Sequence, residues 1–114
     1  MPYCDSDDVR LVCGVAENVI NSGDIGGLIV FSDQEIDDVI GSSFEDVPTR
    51  INRLSALLTS IQIYSRPDFR FRLGKVGIDE QQIEKNLDRW QAEANEIFEF
   101  YNKMPKGDFR VVQA

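Results

Sequence analysis

Residues 79–103 read DEQQIEKNLDRWQAEANEIFEFYNK. Ile83, Leu87, Trp90, Ala94, Ile97 and Tyr101 follow one another at alternating spacings of four and three. That near-heptad seam is the mark of a long helix lying along a neighbouring helix. Asp79 precedes the seam, and Pro105 with Gly107 ends it. Working back toward the N-terminus, a third helical segment opens with Pro48 in its first turn, where a proline costs no hydrogen bond. Ile51, Leu54, Leu57, Leu58, Ile61 and Tyr64 form its apolar stripe, and Pro67 blocks its continuation. A second segment is capped by Asn21 or Ser22, buries Ile25, Leu28, Ile29, Ser32, Ile36 and Ile40, and stops at Gly41. Gly26 and Gly27 weaken its first turn, so either that turn frays or a neighbouring backbone approaches closely. The first segment opens at Asp5, with Asp8 as capping-box partner and Cys4 and Val9 at staple positions. Val9, Val12 and Cys13 share its apolar face, and Gly14 stops it.

Two stretches do not read as helix. Phe69-Arg70-Phe71-Arg72-Leu73 alternates apolar and basic residues with period two, which predicts a short strand over about 68–73. Phe109-Arg110-Val111-Val112-Gln113 has β-propensity and forms a second arm. The expected architecture is therefore all-α: a small bundle of about four helices, residues 1–104, carrying short β-like arms, with residues 105–114 as a C-terminal arm. A two-stranded ribbon is marginal alone, so such arms need a partner surface.

With 114 residues, 42% apolar and 28% charged, the chain has room for one modest core and the composition of a globular domain. No run of eighteen apolar residues offers a membrane span, and the Met-Pro-Tyr-Cys-Asp start lacks a secretory signal's basic and apolar regions. There is no histidine, which removes the commonest general base and metal ligand and every Ser-His or Cys-His nucleophile pair. Carboxylate pairs alone could serve as acid and base, but no pocket motif or glycine-rich phosphate loop accompanies them. The expectation is a non-enzyme without cofactor or metal. Cys4 and Cys13 lie near opposite ends of a short helix, too far apart to bridge, and Cys13 reads as core. Asp33 and Asp37 share a helix face at a spacing that oxygen-ligated cations use, but a calcium-hand loop is missing. A solvated acidic face is the favoured reading of Asp33, Glu35, Asp37 and Asp38. Trp90, Phe98 and Tyr101 read as core aromatics.

The net charge is -8, and it is unevenly spread. Residues 1–46 hold eleven acids and one base, Arg10. Residues 47–75 hold six bases, Arg50, Arg53, Arg66, Arg70, Arg72 and Lys75, against one acid, Asp68. The whole surface would repel nucleic-acid phosphate. The acidic and basic parts can pair within one fold or between copies. The Arg-Phe alternation of residues 69–72 could stack bases, but buried phenylalanines with arginines meeting carboxylates is the favoured reading, a protein contact centred on Phe69, Arg70, Phe71, Arg72 and Lys75. Asp outnumbers Glu and Arg outnumbers Lys, a balance suited to a high-salt cytoplasm.

Taken in order, Tyr3, Asp8-Val9-Arg10, Gly14, Asp24-Ile25, Leu28-Ile29, Ile36-Asp37, Ile40-Gly41, Pro48, Ile51, Leu54, Tyr64, Leu73-Gly74 and the long last helix ending near Tyr101 resemble the head-to-tail connector, or adaptor, proteins of tailed viruses. The resemblance covers about residues 3–103; Gly26-Gly27 and the lack of an alanine-rich stretch in the second helix depart from the family's pattern. It implies a structural protein of the virion neck, in the host cytoplasm during assembly. It implies a ring, commonly a dodecamer, beneath the portal protein, joined on the other side to a stopper or tail-completion protein, with viral DNA passing through unbound and no membrane partner. C-terminal segments commonly dock on the portal in this family, which here implies Phe109, Arg110, Val111, Val112 and Gln113. The competing class is a small acidic regulatory module that mimics DNA and occupies a nucleic-acid-binding protein; the basic middle of the chain spoils such a surface.

Overall fold

The computed structural model describes residues 2–103. Within them the chain is all-helical: α1 (Ser6–Cys13), α2 (Ser22–Ile40), α3 (Thr49–Ser65), α4 (Pro67–Lys75) and α5 (Glu80–Asn102). The arm at 109–113, and with it the C-terminal unit 105–114, lies outside the described residues.

Capping chemistry sets the helix ends. Asp5 and Asp8 form a reciprocal capping box on α1, and Asp79 and Gln82 form another on α5. The Asn21 side chain accepts from the Asp24 amide at the start of α2. Gly14 and Gly41 close α1 and α2 in the left-handed region, at φ 71° and 80°, where a side chain would be strained. Arg10, the one base of the acidic N-terminal part, ties the α1–α2 loop. Its guanidinium donates to the Val15 carbonyl at 2.8 Å and the Ile20 carbonyl at 2.9 Å and pairs with Glu17.

The strand expected at 68–73 is instead α4. Pro67 holds Arg66 extended, ending α3, and then sits in the first turn of a new helix. Asp68 in that first turn and Arg72 and Lys75 in the last complement the helix dipole. Of the alternating apolar residues, Phe69 and Leu73 lie four apart and are buried, while Phe71 points outward. Five residues of period-two alternation fit one and a half helical turns as well as a strand. An isolated strand would have left its backbone groups unpaired.

α3 is the hub. It packs most extensively on α5 and also against α1, α2 and α4. Ile61 and Ile97 bridge the two ends of the core. At one end Tyr64 stacks edge-on against Trp90 with centroids 4.7 Å apart, and its hydroxyl donates to the Cys13 carbonyl at 3.0 Å. At the other, Tyr3, Phe44 and Tyr101 form an edge-to-face chain at 5.8 and 5.7 Å. Arg53 of α3 grips Glu93 of α5 with two hydrogen bonds, and Arg50 lies 4.0 Å from the centre of the Phe100 ring. The core aromatics Trp90 and Tyr101 are buried and Phe98 is half-buried. Cys4 and Cys13 are buried free thiols.

α2 runs unbroken through Gly26 and Gly27. A Cβ built at either meets nothing within 4 Å, so within this chain neither fraying nor a close backbone accounts for them. Gly27→Ala therefore stabilises the fold by roughly 0.5–1 kcal/mol. Gly14→Ala, forced into the left-handed region, destabilises it by about 1–2 kcal/mol. Thermal melts by circular dichroism should move in opposite directions, about 4 °C per kcal/mol for a domain of this size. A lowered melting temperature for Gly27→Ala would contradict this account of α2.

Candidate functional site

The N-terminal segment before α1 lies across α2 and α3, fastened by residues far away in the chain. The Tyr3 amide donates to Asp33 Oδ2 at 2.9 Å, and its hydroxyl donates to Asp37 while accepting from the Phe44 amide at 3.1 Å. Asn52 of α3 donates to the Tyr3 carbonyl and to Asp8. The Ser55 hydroxyl donates to Asp33 Oδ1 at 2.7 Å, leaving its lone pairs to accept the Cys4 thiol proton across 3.1 Å. Asp33 and Asp37 are thus half-buried clamps rather than parts of a solvated face, and each is already engaged by Tyr3; Glu35 and Asp38 do face solvent. Burial, chiefly, pushes the Tyr3 hydroxyl up to about 12 and the Cys4 thiol up to about 11, and it also raises the Cys13 thiol. Both sulfurs stay protonated and are weak nucleophiles.

Between this segment and α2 runs a groove of about 530 Å³. Pro2, Cys4, Asp5 and Ser6 line one side; Ser22, Gly26, Ile29, Val30, Asp33, Gln34 and Asp37 line the other. The charged side chains among its lining residues are all acidic, and Gly26 contributes bare backbone to its wall. Next to it α2 carries Val30, Phe31 and Val39 exposed, Phe31 at 64%, interleaved with Glu35 and Asp38.

The structure divides the five residues proposed from sequence as a contact. Phe69 is buried, with the Arg66 and Arg72 guanidinium carbons 5.4 and 5.5 Å from its ring centre. Arg70 binds Glu80 at 3.1 Å and Glu84 at 2.7 Å, holding α4 to α5. Both residues are used inside the chain. Phe71, Arg72 and Lys75 remain at the surface, Phe71 66% exposed with Lys75 Nζ 4.7 Å from its ring centre. Arg72 also reaches back to the Val19 carbonyl at 3.3 Å. Val76 adds a further exposed apolar side chain.

Two surfaces of opposite charge, each with exposed large apolar groups, are therefore carried by one chain. The sequence reading missed Leu11, Val30, Phe31 and Val39. Their signal was present, since each is an apolar residue out of phase with its helix's buried stripe. Among the described residues no three acidic or cysteine side chains converge to hold a metal ion, and no helix is long and apolar enough to cross a membrane. Compared with protein-family models, curated proteins and solved structures, the chain matches none.

Burial raises the Asp33 carboxyl above the ordinary carboxylate range, against the lowering effect of the Ser55 and Tyr3 hydrogen bonds. The folded state then binds this proton more tightly than the unfolded chain. The contribution is full below the unfolded value of about 3.9 and is lost as pH rises through the higher folded value. Asp33→Asn keeps an acceptor for Tyr3 and removes the buried charge, so it should match or exceed the wild type in urea stability near neutral pH. Its advantage should shrink on acidification, as pH falls through the raised folded value toward the unfolded value of about 3.9. Asp33→Ala orphans the Tyr3 amide and should cost about 1–3 kcal/mol. An advantage of Asp33→Asn that grows on acidification would contradict the assignment.

Proposed function

We propose that this chain is a structural protein of a tailed virus, a head-to-tail connector. It acts by assembling into a ring beneath the portal and joining that portal to a stopper or tail-completion protein. The observation that carries the reading is the pairing of unlike surfaces on one chain. One is acidic and apolar, on α2 and the N-terminal segment; the other is basic and apolar, on α4. A ring requires each copy to present two different, complementary faces. The family resemblance across residues 3–103 supplies the particular assembly, with its place in the virion neck and its passage for DNA. A lumen lined by acids would repel the sliding DNA, so the reading needs no specific nucleic-acid contact. It also needs no catalytic group and no cofactor. Portal docking falls to Phe109, Arg110, Val111, Val112 and Gln113.

The test is capture from lysate of virus-producing source cells with the chain tagged at its N-terminus. Mass spectrometry should identify a portal protein, and negative-stain microscopy should show rings. Among the described residues the core runs from Tyr3 to Tyr101; on the proposed reading, deletion of 108–114 leaves the thermal melt unchanged and abolishes portal recovery. Retained recovery would move the docking site elsewhere. Recovery of a DNA-binding protein in a small complex, with neither portal nor rings, would overturn the connector reading and favour an acidic regulatory module.

A further inference from the structure

We infer that Phe71 of one copy seats in the groove between the N-terminal segment and α2 of a second copy, a head-to-tail contact that repeats from copy to copy. That the repeat closes into a ring rests on the connector reading; the contact itself is argued from this chain's own surfaces.

Phe71 stands on α4 as an exposed aromatic knob, accompanied by the cationic side chains of Arg72 and Lys75. The groove offers the complement. Its apolar lining comes from Cys4, Ile29 and Val30, and Asp5, Asp33 and Asp37 supply three carboxylates with no basic side chain among its lining residues. Its volume of about 530 Å³ is ample, since an apolar cavity of about 150 Å³ already holds a benzene ring. Phe71 does not line the groove of its own chain, so knob and groove are separate patches. Contacts between unlike patches are heterologous and propagate.

Gly26 gives an independent argument. A glycine inside a helix is a standing cost, and nothing in this chain occupies the space its side chain would take. The fold does not need it. A flat ring approaching the helix backbone from outside does, because any larger residue at 26 would fill the groove. The charges then act at the edge of the contact, where opposite signs set orientation and encounter rate and an aromatic anchor supplies most of the affinity.

The test is sedimentation velocity on the full chain at low salt over a wide concentration range, with two variants. Phe71→Asp removes the knob; Gly26→Leu fills the groove while improving helix propensity. Both should melt at or above the wild-type temperature, which separates loss of contact from loss of fold. Each variant alone should self-associate about thirtyfold more weakly or worse. Mixed in equal amounts they retain one intact knob and one intact groove, and should form a one-to-one dimer that grows no further. Wild-type strength of assembly in either variant, or a mixture that stays monomeric, would overturn the contact. So would a wild-type chain that is monomeric at the highest concentration reached. Rings that survive both substitutions overturn this contact and leave the connector reading standing. Assembly that obeys the knob-and-groove rule without any capture of a portal protein supports the contact and overturns the connector reading.

Discussion

A helix enclosed on nearly every side must send its polar side chains into its neighbours, and α3 is such a helix. Ser55, Thr59 and Ser60 are buried among its leucines and isoleucines. Each unpaired hydroxyl there would cost about 1–3 kcal/mol, so each finds a partner. Ser60 bonds back to the Ala56 carbonyl. Thr59 meets Ser32 of α2 at 2.9 Å, and Gln62 reaches Ser32 and the Leu28 carbonyl. Ser55 meets Asp33 and Cys4, Asn52 holds the Tyr3 carbonyl, and Tyr64 holds the end of α1. Apolar burial supplies most of the stabilisation, but this set of directional bonds fixes which face of α2 turns inward and where the N-terminal segment lies.

The groove follows from that constraint. With the segment clamped by Asp33, Asp37, Ser55 and Asn52, the outer side of α2 is left bare where Gly26 and Gly27 stand, and carboxylates that serve the clamp also charge the groove. α4 acquires its character in a similar way. Phe69, Leu73 and Arg70 are spent on holding α4 to the rest of the fold, and what remains outside is Phe71, Arg72, Lys75 and Val76. Structure and candidate surface are thus two consequences of the same side-chain assignments. A glycine inside a helix is a cost to a lone domain, and the proposed contact between copies would use both it and the surface phenylalanine.

Local chemistry was legible from residues alone. Asp5, Asn21, Gly14, Gly41 and Asp79 mark helix ends by capping, and the Ile83-to-Tyr101 seam marks the long helix by spacing. α4 was not legible as a helix, because five alternating residues satisfy period two and a short helical stripe alike. Pro67, taken as a stop, is also a start. The clamp was illegible for another reason. Asp33 and Asp37 sit among other acids on α2, and nothing local distinguishes a carboxylate facing water from one that meets Tyr3 thirty or more residues away. Phe71 was legible as part of a contact segment, whereas the exposed Val30 and Phe31 lie out of phase with the buried stripe of α2 and carry no other local mark of a surface role.

The most direct measurement is immunoelectron microscopy of purified tailed particles from the source of this chain, using antibody raised against residues 2–103. The account predicts gold at the junction of head and tail in intact particles. Particles that carry no label, or label confined to the host cell and absent from every particle, would contradict it.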